Sequence, residues 1–326
     1  MVIVRTPLRV SFVGGGSDLE SFAREHGGAV VSTAIDKYVY VVVTPRFEDD
    51  IRVSYTHTEI VERVDDIQHD LVRESLRFAG LPRKVEIVTI ADVPARGTGL
   101  GSSSAVTVGA LNALFTYQGI LKTSRELAEA ASEIEIEVLQ KPIGKQDQYS
   151  SAFGGLNLFR FGPGHTVTRD PVVLTADART QLERSLLMFY TGTQRSADKV
   201  LTDLDKAAKS EPRTQQQLEQ LRDLAIELYG ELGKGDPDVL GEYLHRGWEL
   251  KRELGGVTTP EIDGWYETGR KAGAIGGKLL GAGGGGFLLF YVPRDKQAAV
   301  RRALEDLREL PIAFDDLGSR VIFIGQ

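Results

Sequence analysis

The sequence contains no cysteine, and this excludes disulfide bonds, thiolate metal sites and cysteine nucleophiles. Its five histidines are scattered along the chain without the close pairing of a zinc-binding helix, so we expect no zinc site. No uninterrupted apolar run approaches about 20 residues, the length that crosses a bilayer. The first residues also lack the apolar core of a signal peptide. We therefore expect a cytoplasmic protein that does not enter the membrane.

The sequence also lacks a surplus of positive charge. There are 39 Lys and Arg residues against 46 Asp and Glu residues, and the formal net charge is -7. Binding to nucleic acid or to an anionic membrane is therefore not expected, and a small-molecule partner is favoured. With 326 residues, of which 41% are hydrophobic, the chain is long enough for one large domain or two ordinary ones. The G-x-S-x-G pattern of serine hydrolases is absent.

Two familiar phosphate-binding motifs are absent as well. A Walker loop needs Ser or Thr after its lysine, but Gln146 follows Lys145 and Leu279 follows Lys278. Residues 281–286 satisfy the pattern G-x-G-x-x-G, but a strand-like run follows them where the dinucleotide-binding motif needs a helix, so nicotinamide chemistry is not expected. The glycines of this run indicate a close approach of the backbone, either in helix–strand packing or to the substrate and its phosphates.

The most informative segment is a loop rich in glycine and serine at residues 97–104. Its glycines permit close backbone approach, and its serines supply capping hydroxyls where the unpaired N–H groups and the positive dipole end of a helix converge. Apolar residues follow at helical spacing and predict an amphipathic helix after the loop. The segment therefore predicts a phosphate site, and the alternative is an ordinary capped turn. The residues predicted to bind phosphates are Gly97, Gly99, Leu100, Gly101, Ser102, Ser103 and Ser104.

A nucleotide triphosphate on this loop needs Mg²⁺ with hard oxygen ligands, for which we expect a serine hydroxyl and one carboxylate. Ser103 and Glu135 are the candidates, and the alternative for Glu135 is a solvated helix residue. Asp147 lies in a polar segment with glycine and could accept a proton from a substrate hydroxyl, or could simply form a turn. Phosphoryl transfer also needs positive charge near the transferred group, which Arg9 and a lysine such as Lys145 or Lys278 could supply.

Periodic segments indicate a mixed fold. Residues 8–12 alternate in the pattern of a half-buried strand, which places Arg9 on the face opposite the apolar residues and lets it face a cleft. Apolar and β-branched runs predict further strands at residues 38–43, 85–90, 186–190 and 287–292.

Helical signals concentrate in the middle of the chain. Thr123 and Glu126 have the spacing of a capping box. The helix that follows is predicted to bury the stripe Leu127, Ala131, Ile134 and Val138. Residues 141–155 are interpreted as a loop, and the Gly-Pro-Gly sequence at 162–164 indicates a domain boundary near residue 170.

Three ordered segments, residues 7–18, 99–105 and 278–287, resemble the three motifs of the GHMP kinases, which include galactokinase, homoserine kinase, mevalonate kinase and phosphomevalonate kinase. The triple glycine of the first segment and the sequence of residues 141–149 are most similar to the D-glycero-D-manno-heptose 7-phosphate kinases. The resemblance implies an α+β fold with an N-terminal domain like domain 2 of ribosomal protein S5, a ferredoxin-like C-terminal domain and a catalytic cleft between them. The corresponding domains are residues 1–170 and 171–326.

The resemblance also implies roles for particular residues. By motif position, Ser103 matches the Mg²⁺-ligating serine of the family and Glu135 its metal carboxylate. Asp147 matches the aspartate that orients or deprotonates the acceptor hydroxyl, and Arg9 matches the basic residue beside it. The residues expected to contact the sugar or its phosphate are Gly15, Gly16, Ser17, Asp18, Lys37, Thr193, Arg195, Gly283 and Gly284.

The implied activity is the phosphorylation of the anomeric O1 of D-glycero-D-manno-heptose 7-phosphate, with ATP and Mg²⁺, to the 1,7-bisphosphate for nucleotide-activated heptose and surface polysaccharide synthesis. We expect a phosphosugar partner and a monomer or homodimer. Three alternatives remain: a kinase of a free sugar such as fucose or galactose, an ATP-consuming decarboxylase, and a regulator that binds sugar and ATP without turnover. Intact Arg9, Ser103 and Asp147 argue against the regulator, because a pure sensor has no chemical need for all three.

Overall fold

The computed structural model describes residues 1–94, 97–193 and 197–325. Within these residues the strands form one sheet of eight strands and one of four. The larger sheet contains β1 (Val2–Val13), β2 (Gly28–Pro45), β3 (Ile51–Ser54), β4 (Thr58–Val61), β5 (Val85–Ala91), β6 (Leu156–Phe161), β7 (Val167–Pro171) and β12 (Arg320–Ile324). The smaller sheet contains β8 (Leu186–Tyr190), β9 (Gly276–Leu279), β10 (Phe287–Tyr291) and β11 (Arg308–Glu309).

The helices lie between and around these strands. They are α1 (Glu20–His26), α2 (Asp70–Ala79), α3 (Ser102–Tyr117), α4 (Ser124–Ser132), α5 (Gln146–Phe153), α6 (Ala176–Ser185), α7 (Ala197–Ser210), α8 (Pro212–Leu232), α9 (Val239–Glu253), α10 (Pro260–Lys271) and α11 (Gln297–Ala303). A π-helical turn, Glu133–Val138, continues α4. None of the helices in the described part of the chain is long and apolar enough to span a bilayer.

The long strand β2 organises the larger sheet. One of its edges pairs antiparallel with β1, while the other pairs with β6 in its first half and with β5 in its second half. In that second half, Val39, Val41 and Val43 are buried and alternate with partly exposed residues, so one face of the sheet is covered there. The strands predicted in the first ninety residues are confirmed, each within a longer strand.

Helix α3 runs through the core. Twelve of its 16 residues are buried, and it packs on β1, β2, α2, α4 and α5. The prediction of an amphipathic helix is therefore wrong, because small residues let neighbours surround it. A Cβ on Gly109, for example, would lie only 2.8 Å from the hydroxyl oxygen of Thr6.

The region after α3 confirms one prediction and corrects two. Thr123 and Glu126 form the predicted capping box. The apolar stripe is buried except for Val138, which is 52% exposed because the π-helical turn changes the helical period before it. The predicted loop at 141–155 is wrong for residues 146–153, since these form α5 and Asp147 lies in its first turn.

The smaller sheet has the strand order β11, β8, β10, β9, with antiparallel neighbours throughout. Helix α9 packs on β9 and β10. The core beside this sheet is aromatic: Trp248, Tyr266 and Phe290 are fully buried, and the rings of Tyr266 and Phe290 lie 5.9 Å apart. The strands predicted at 186–190 and 287–292 are confirmed.

The C-terminal strand returns to the larger sheet. β12 pairs antiparallel with β1, with Val2 opposite Ile324 and Arg5 opposite Arg320. The predicted boundary near residue 170 falls at the end of β7 and stays a prediction, but residues 171–326 do not all belong to the smaller sheet. The reason is that β12 supplies the hydrogen-bonding partner for the outer edge of β1.

Candidate active site

A cavity of about 930 Å³ lies between the end of β1, the N-terminus of α3 and the glycine run before β10. Its wall therefore combines segments that are almost 300 residues apart in the sequence. The predicted site residues that line it are Arg9, Gly15, Gly16, Asp18, Gly97, Gly99, Gly101, Ser102, Ser103, Asp147 and Gly283.

Arg9 and Asp147 form a two-pronged ion pair in this cavity. Arg9 Nε donates to Asp147 Oδ1 at 2.6 Å, and Arg9 Nη2 donates to Oδ2 at 2.7 Å. Arg9 Nη1 donates to the carbonyl of Gly99 at 2.6 Å, and the Arg9 backbone N–H donates to the carbonyl of Leu100. The rigid guanidinium thereby fixes the Asp147 carboxylate beside the predicted phosphate loop (residues 97–104), with a bond from each of its three nitrogens.

The two glycine-rich segments pack directly against each other. Gly99 and Gly281 both have a φ of +76°, which disfavours any side chain. A Cβ on Gly99 would lie 2.4 Å from the carbonyl oxygen of Leu280, and a Cβ on Gly281 would lie 2.4 Å from the Cα of Gly99. At Gly281, the first residue of the glycine run at 281–286, the need for glycine is thus explained by contact between two loops, rather than by a helix packed on a strand.

The three serines of the phosphate loop have different partners. Ser102 Oγ lies 3.4 Å from the hydroxyl of Thr98, Ser103 is exposed at the cavity, and buried Ser104 donates to Glu135 Oε2 at 3.1 Å. The prediction that their hydroxyls cap the helix is wrong, because the N-cap residue is Gly101, which has no side chain to donate or accept a capping bond. The first N–H groups of α3 are consequently available to an anion.

Glu135 is fully buried in the π-helical turn, behind the wall of the cavity. Burial raises the pKa of Glu135 to about 7, against the opposing effects of Lys141, Thr107 and Ser104. Its Oε1 has no hydrogen-bond partner among the described residues. A buried carboxylate oxygen without a partner, held next to a serine of the phosphate loop, fits a divalent cation. In the described ranges, no cluster of three or more acidic or histidine side chains could hold a metal ion. Phosphate oxygens would therefore have to supply the remaining ligands of the cation.

Asp18 reaches the cavity from the turn after β1. Its Oδ1 accepts bonds from Gly16 N and Gln146 Nε2, each at 3.0 Å, and its Oδ2 accepts from Gln146 N at 3.3 Å. Burial raises the pKa of Asp18, and the charge of Asp147 adds to this rise. These bonds tie the first motif to the first turn of α5, so both carboxylates depend on the same helix end.

Lys278, on β9, connects the two sheets beneath the site. Its ammonium donates to the backbone carbonyls of Ser11 and Phe12, each at 2.8 Å. Burial lowers the pKa of Lys278 well below its usual value, and the charges of Lys251 and Arg9 lower it further. With two of its donors used on the backbone, Lys278 acts mainly as a support for β1.

Lys251, on α9, also lines the cavity, and the sequence analysis missed it. It donates to the carbonyl of Gly281. Burial lowers the pKa of Lys251 to about 8, helped by Arg9 and opposed by Asp18. The sequence does contain a signal for Lys251, because it lies at helical spacing from the apolar residues Leu244 and Trp248. This spacing places its charge on a buried helix face.

Other predicted contact residues do not line the cavity. Ser17 holds the first motif by donating to the carbonyl of Gly14 at 2.8 Å, and Lys37 pairs with Asp36 at 2.7 Å. The remaining ones engage neighbouring backbone or side chains and are Leu100, Ser104, Glu135, Thr193 and Gly284. Arg195 lies outside the described residues.

Two family models match the chain. Residues 66–155 match the GHMP kinases N terminal domain, and residues 228–309 match the GHMP kinases C terminal domain. Together these two matches cover just over half of the chain. The matched ranges contain the phosphate loop, the Arg9 partner Asp147 and the glycine run.

Individual relatives extend the likeness over nearly the whole length. The chain is 28% identical over 313 residues to the D-glycero-alpha-D-manno-heptose 7-phosphate kinase of Campylobacter jejuni, covering 92% of each chain. It superposes on the D-glycero-D-manno-heptose 1-phosphate kinase of Bacteroides thetaiotaomicron with a TM-score of 0.81 and 26% identity over 100% of both chains. The galactokinase of Lactococcus lactis, complexed with galactose, shares the fold at 16% identity, with a TM-score of 0.78 over 98% of this chain and 94% of its own.

Proposed function

Since the chain belongs to the GHMP kinases, we propose that it transfers the γ-phosphoryl group of ATP to the anomeric O1 of D-glycero-D-manno-heptose 7-phosphate. The product is the 1,7-bisphosphate. The chain has the predicted α+β fold, and its family makes it a phosphotransferase. The observation that supports the proposal most directly is the Arg9–Asp147 pair, which holds a carboxylate beside the phosphate loop. The cavity of about 930 Å³ has the size expected for small-molecule substrates.

In the proposed reaction Asp147 accepts the proton of the O1 hydroxyl. The bond between O1 and the γ-phosphorus forms while the bond between that phosphorus and the β,γ-bridging oxygen breaks, and ADP leaves with the electron pair of the broken bond. Arg9 keeps both carboxylate oxygens oriented, and its positive charge offsets the negative charge of the transferred group.

Mg²⁺ supplies charge neutralisation and orientation of the ATP phosphates when it is bound. Ser103 and Glu135 are the residues that would hold it. The exposed hydroxyl of Ser103 faces the cavity, and the unpartnered Oε1 of Glu135 is a free ligand oxygen while Ser104 holds Oε2. The phosphates themselves are proposed to bind the glycines of the loop and the first N–H groups of α3.

The choice of a heptose phosphate rests on the names of two relatives, one a 7-phosphate kinase and the other a 1-phosphate kinase. A kinase of a free sugar is the second candidate. It is favoured by one observation: Lys37, predicted to contact the sugar or its phosphate, does not line the cavity. The cations that do line it and could take a phosphate of the sugar or of ATP include Lys141, Lys199 and Lys251.

An ATP-consumption assay with Mg²⁺ separates these candidates. The acceptors are D-glycero-D-manno-heptose 7-phosphate, the same heptose without phosphate, fucose, galactose and mevalonate diphosphate, with phosphorus NMR of each product. A new anomeric phosphate on the heptose 7-phosphate is the expected result. Turnover of unphosphorylated sugars alone would support the second candidate, carbon dioxide release would indicate a decarboxylase, and binding without turnover would indicate a regulator.

A further inference from the structure

The ammonium of Lys145 lies behind the active site and contacts two other segments of the chain. Its Nζ lies 2.8 Å from His165 Nδ1 and 3.3 Å from Glu20 Oε2. The side chain is only 9% exposed, although an ammonium is strongly hydrated in water. Lys145 does not line the cavity, so the expectation that it supplies charge to the transferred group does not explain its burial.

The three members of this cluster belong to segments that meet at the site. Glu20 begins α1, two residues after Asp18. Lys145 is the N-cap residue of α5, two residues before Asp147. His165 ends a short turn between β6 and β7, and this turn packs on α1. One ammonium therefore joins, from outside the cavity, the two segments that carry the carboxylates of Asp18 and Asp147.

Local interactions do not explain a lysine at the start of α5. An N-cap residue usually accepts a hydrogen bond through a short, oxygen-bearing side chain, and Lys145 makes no such bond. A positive charge is also unfavourable at the positive end of the helix dipole. The first backbone bond of the helix, from Tyr149 N to the carbonyl of Lys145, is long at 3.4 Å. The first turn of α5 therefore depends on contacts from outside the helix.

His165 has a backbone conformation and a protonation state that fit a specific contact. An ammonium has only donors, so the bond from Lys145 requires Nδ1 of His165 to be unprotonated. The φ of His165 is +60°, which is uncommon for a residue with a side chain and persists where the surroundings support it. Glu20 Oε1 lies 3.6 Å from the same Nδ1. Each of the three side chains thus contacts the other two.

We propose that Lys145, held by Glu20 and His165, is a positioning residue that keeps the first turn of α5 in place and so keeps Asp147 oriented for proton transfer. This inference rests on the proposed sugar kinase function, in which Asp147 accepts the proton of the acceptor hydroxyl. Arg9 fixes the two carboxylate oxygens inside the cavity. Lys145 fixes the backbone that carries this carboxylate. Both are needed, because a displacement of about 1 Å can cost about 100-fold in rate.

Lys145→Met tests the role, because methionine is an unbranched side chain without a charge or a donor. We expect the saturated turnover rate to fall about 10- to 100-fold. The KM for ATP should stay within about threefold of the native value, since Lys145 does not line the cavity. Lys234→Met is the matched control, because Lys234 pairs with Glu231 at 2.7 Å on the surface and its loss should leave turnover unchanged.

Asp147→Asn separates positioning from a general loss of structure. Because this variant has no carboxylate left to orient, adding Lys145→Met to it should lower its turnover by less than about twofold. If Lys145 only stabilises the fold, Lys145→Met should lower the turnover of Asp147→Asn by the same factor as that of the native enzyme. Such an equal loss would overturn the proposal.

His165→Asn is the milder change and remains decisive if Lys145→Met does not fold. Asparagine tolerates the left-handed backbone of this position, but its shorter side chain leaves the Lys145 ammonium without this acceptor. We expect turnover to fall about 3- to 10-fold. In the Lys145→Met background the same change should have no further effect, because His165 acts through Lys145. Additive losses would contradict the proposal.

Hydrogen exchange distinguishes failure of this inference from failure of the proposed function. The backbone amide of Tyr149, which closes the first turn of α5, should exchange faster in Lys145→Met than in the native protein, and unchanged exchange would overturn the positioning. If the native enzyme phosphorylates a sugar and Lys145→Met keeps the native turnover, the positioning role is overturned while the kinase function stands. If the native enzyme phosphorylates no sugar, the proposed function fails and the role of Lys145 in transfer fails with it, even where exchange is faster.

Discussion

At the residue scale, the carboxylate charge of Asp147 makes it a proton acceptor, and its hydrogen bonds from Arg9 fix its orientation. One substitution separates these two contributions. Asp147→Asn keeps an oxygen that can accept from Arg9 but removes the proton acceptor. We expect the turnover rate to fall on the order of 10²- to 10⁴-fold, with little change in nucleotide affinity. Steady-state kinetics and a nucleotide titration measure the two effects. Native turnover in this variant would remove Asp147 from the role of base.

Lys251 predicts a pH dependence of nucleotide binding. Its ammonium makes one hydrogen bond in the described structure, to Gly281, and the charged groups acting on it are Arg9, Lys278 and Asp18. Two of its three donors are thus open to an anion. Because the pKa of Lys251 is lowered to about 8, the ammonium is lost as the pH rises through 8. We expect ATP affinity to weaken about 10-fold between pH 7 and 9, because the neutral amine no longer attracts the phosphates of ATP.

Calorimetric titrations of ATP at several pH values test this dependence. Lys251→Gln should bind ATP more weakly at pH 7 and with little change up to pH 9. The exposed Lys271, at the end of α10, provides the control Lys271→Gln, which should follow the native curve. If Lys251→Gln retains the native pH dependence, another group causes it.

Glu135 predicts an effect on stability. Its folded pKa of about 7 lies above the ordinary value of 4.5, so the folded state binds the proton more tightly. The free energy of unfolding therefore falls as the pH rises from 4.5 to 7, and the deficit, at most about 3 kcal/mol, is complete above pH 7. Glu135→Gln should remove this deficit and melt at a higher temperature than the native protein at pH 8 without Mg²⁺. At pH 5 the two should melt alike.

Mg²⁺ then distinguishes a metal ligand from a structural glutamate. Adding Mg²⁺ with a non-hydrolysable ATP analogue at pH 8 should raise the melting temperature of the native protein more than that of Glu135→Gln. Ser104→Ala, which leaves both Glu135 oxygens without this serine partner, should retain the Mg²⁺ effect. An equal rise in native protein and Glu135→Gln would contradict the ligand role.

At the element scale, the contact between the two glycine-rich loops holds the site together. Gly281→Ala has to accommodate both an unfavourable φ and a methyl group 2.4 Å from the Cα of Gly99. Gly80→Ala at the end of α2 has a similar φ of +67° and nothing within 4 Å, so it isolates the backbone cost of about 1–2 kcal/mol. We expect Gly281→Ala to be destabilised clearly beyond Gly80→Ala and to lose activity, as measured by denaturant unfolding and turnover. Equal destabilisation would mean that the loops move apart freely.

How far the sequence predicted these elements depends on where the determining contacts lie. The valine-rich strands and the capping box at Thr123 were predicted because their signals are local. The burial of α3 is not predictable from a local pattern, since it arises from neighbours on every side. The first turn of α5 is polar, and its sequence is therefore typical of a loop. At the site, Arg9 and Asp147 were predicted by motif, whereas the role of Lys251 depends on a loop 30 residues away in the sequence.

At the scale of the whole molecule, the C-terminal segment packs against the first two strands, β1 and β2. β12 covers the outer edge of β1, Phe314 bridges to Ile35, and Asp315 accepts a 2.9 Å bond from the hydroxyl of Tyr38. Truncation after residue 310 removes all three contacts and exposes a sheet edge. Since β1 also carries Arg9, we expect the truncated protein to lose activity as well as stability, with a melting temperature lower by about 10 °C or more.

A peptide of residues 311–326 provides the complementary test. Because it contains the segment that pairs with β1, added peptide should raise the melting temperature of the truncated protein as its concentration increases. A scrambled peptide should have no such effect. Hydrogen exchange locates the effect. We expect the amides of β1 to lose protection first in the truncated protein and those of β8 and β10 to keep it, because β12 pairs with β1 and not with the smaller sheet. Loss of protection in β8 and β10 with β1 intact would mean instead that the C-terminal segment stabilises the second half of the chain, as a single division near residue 170 implies.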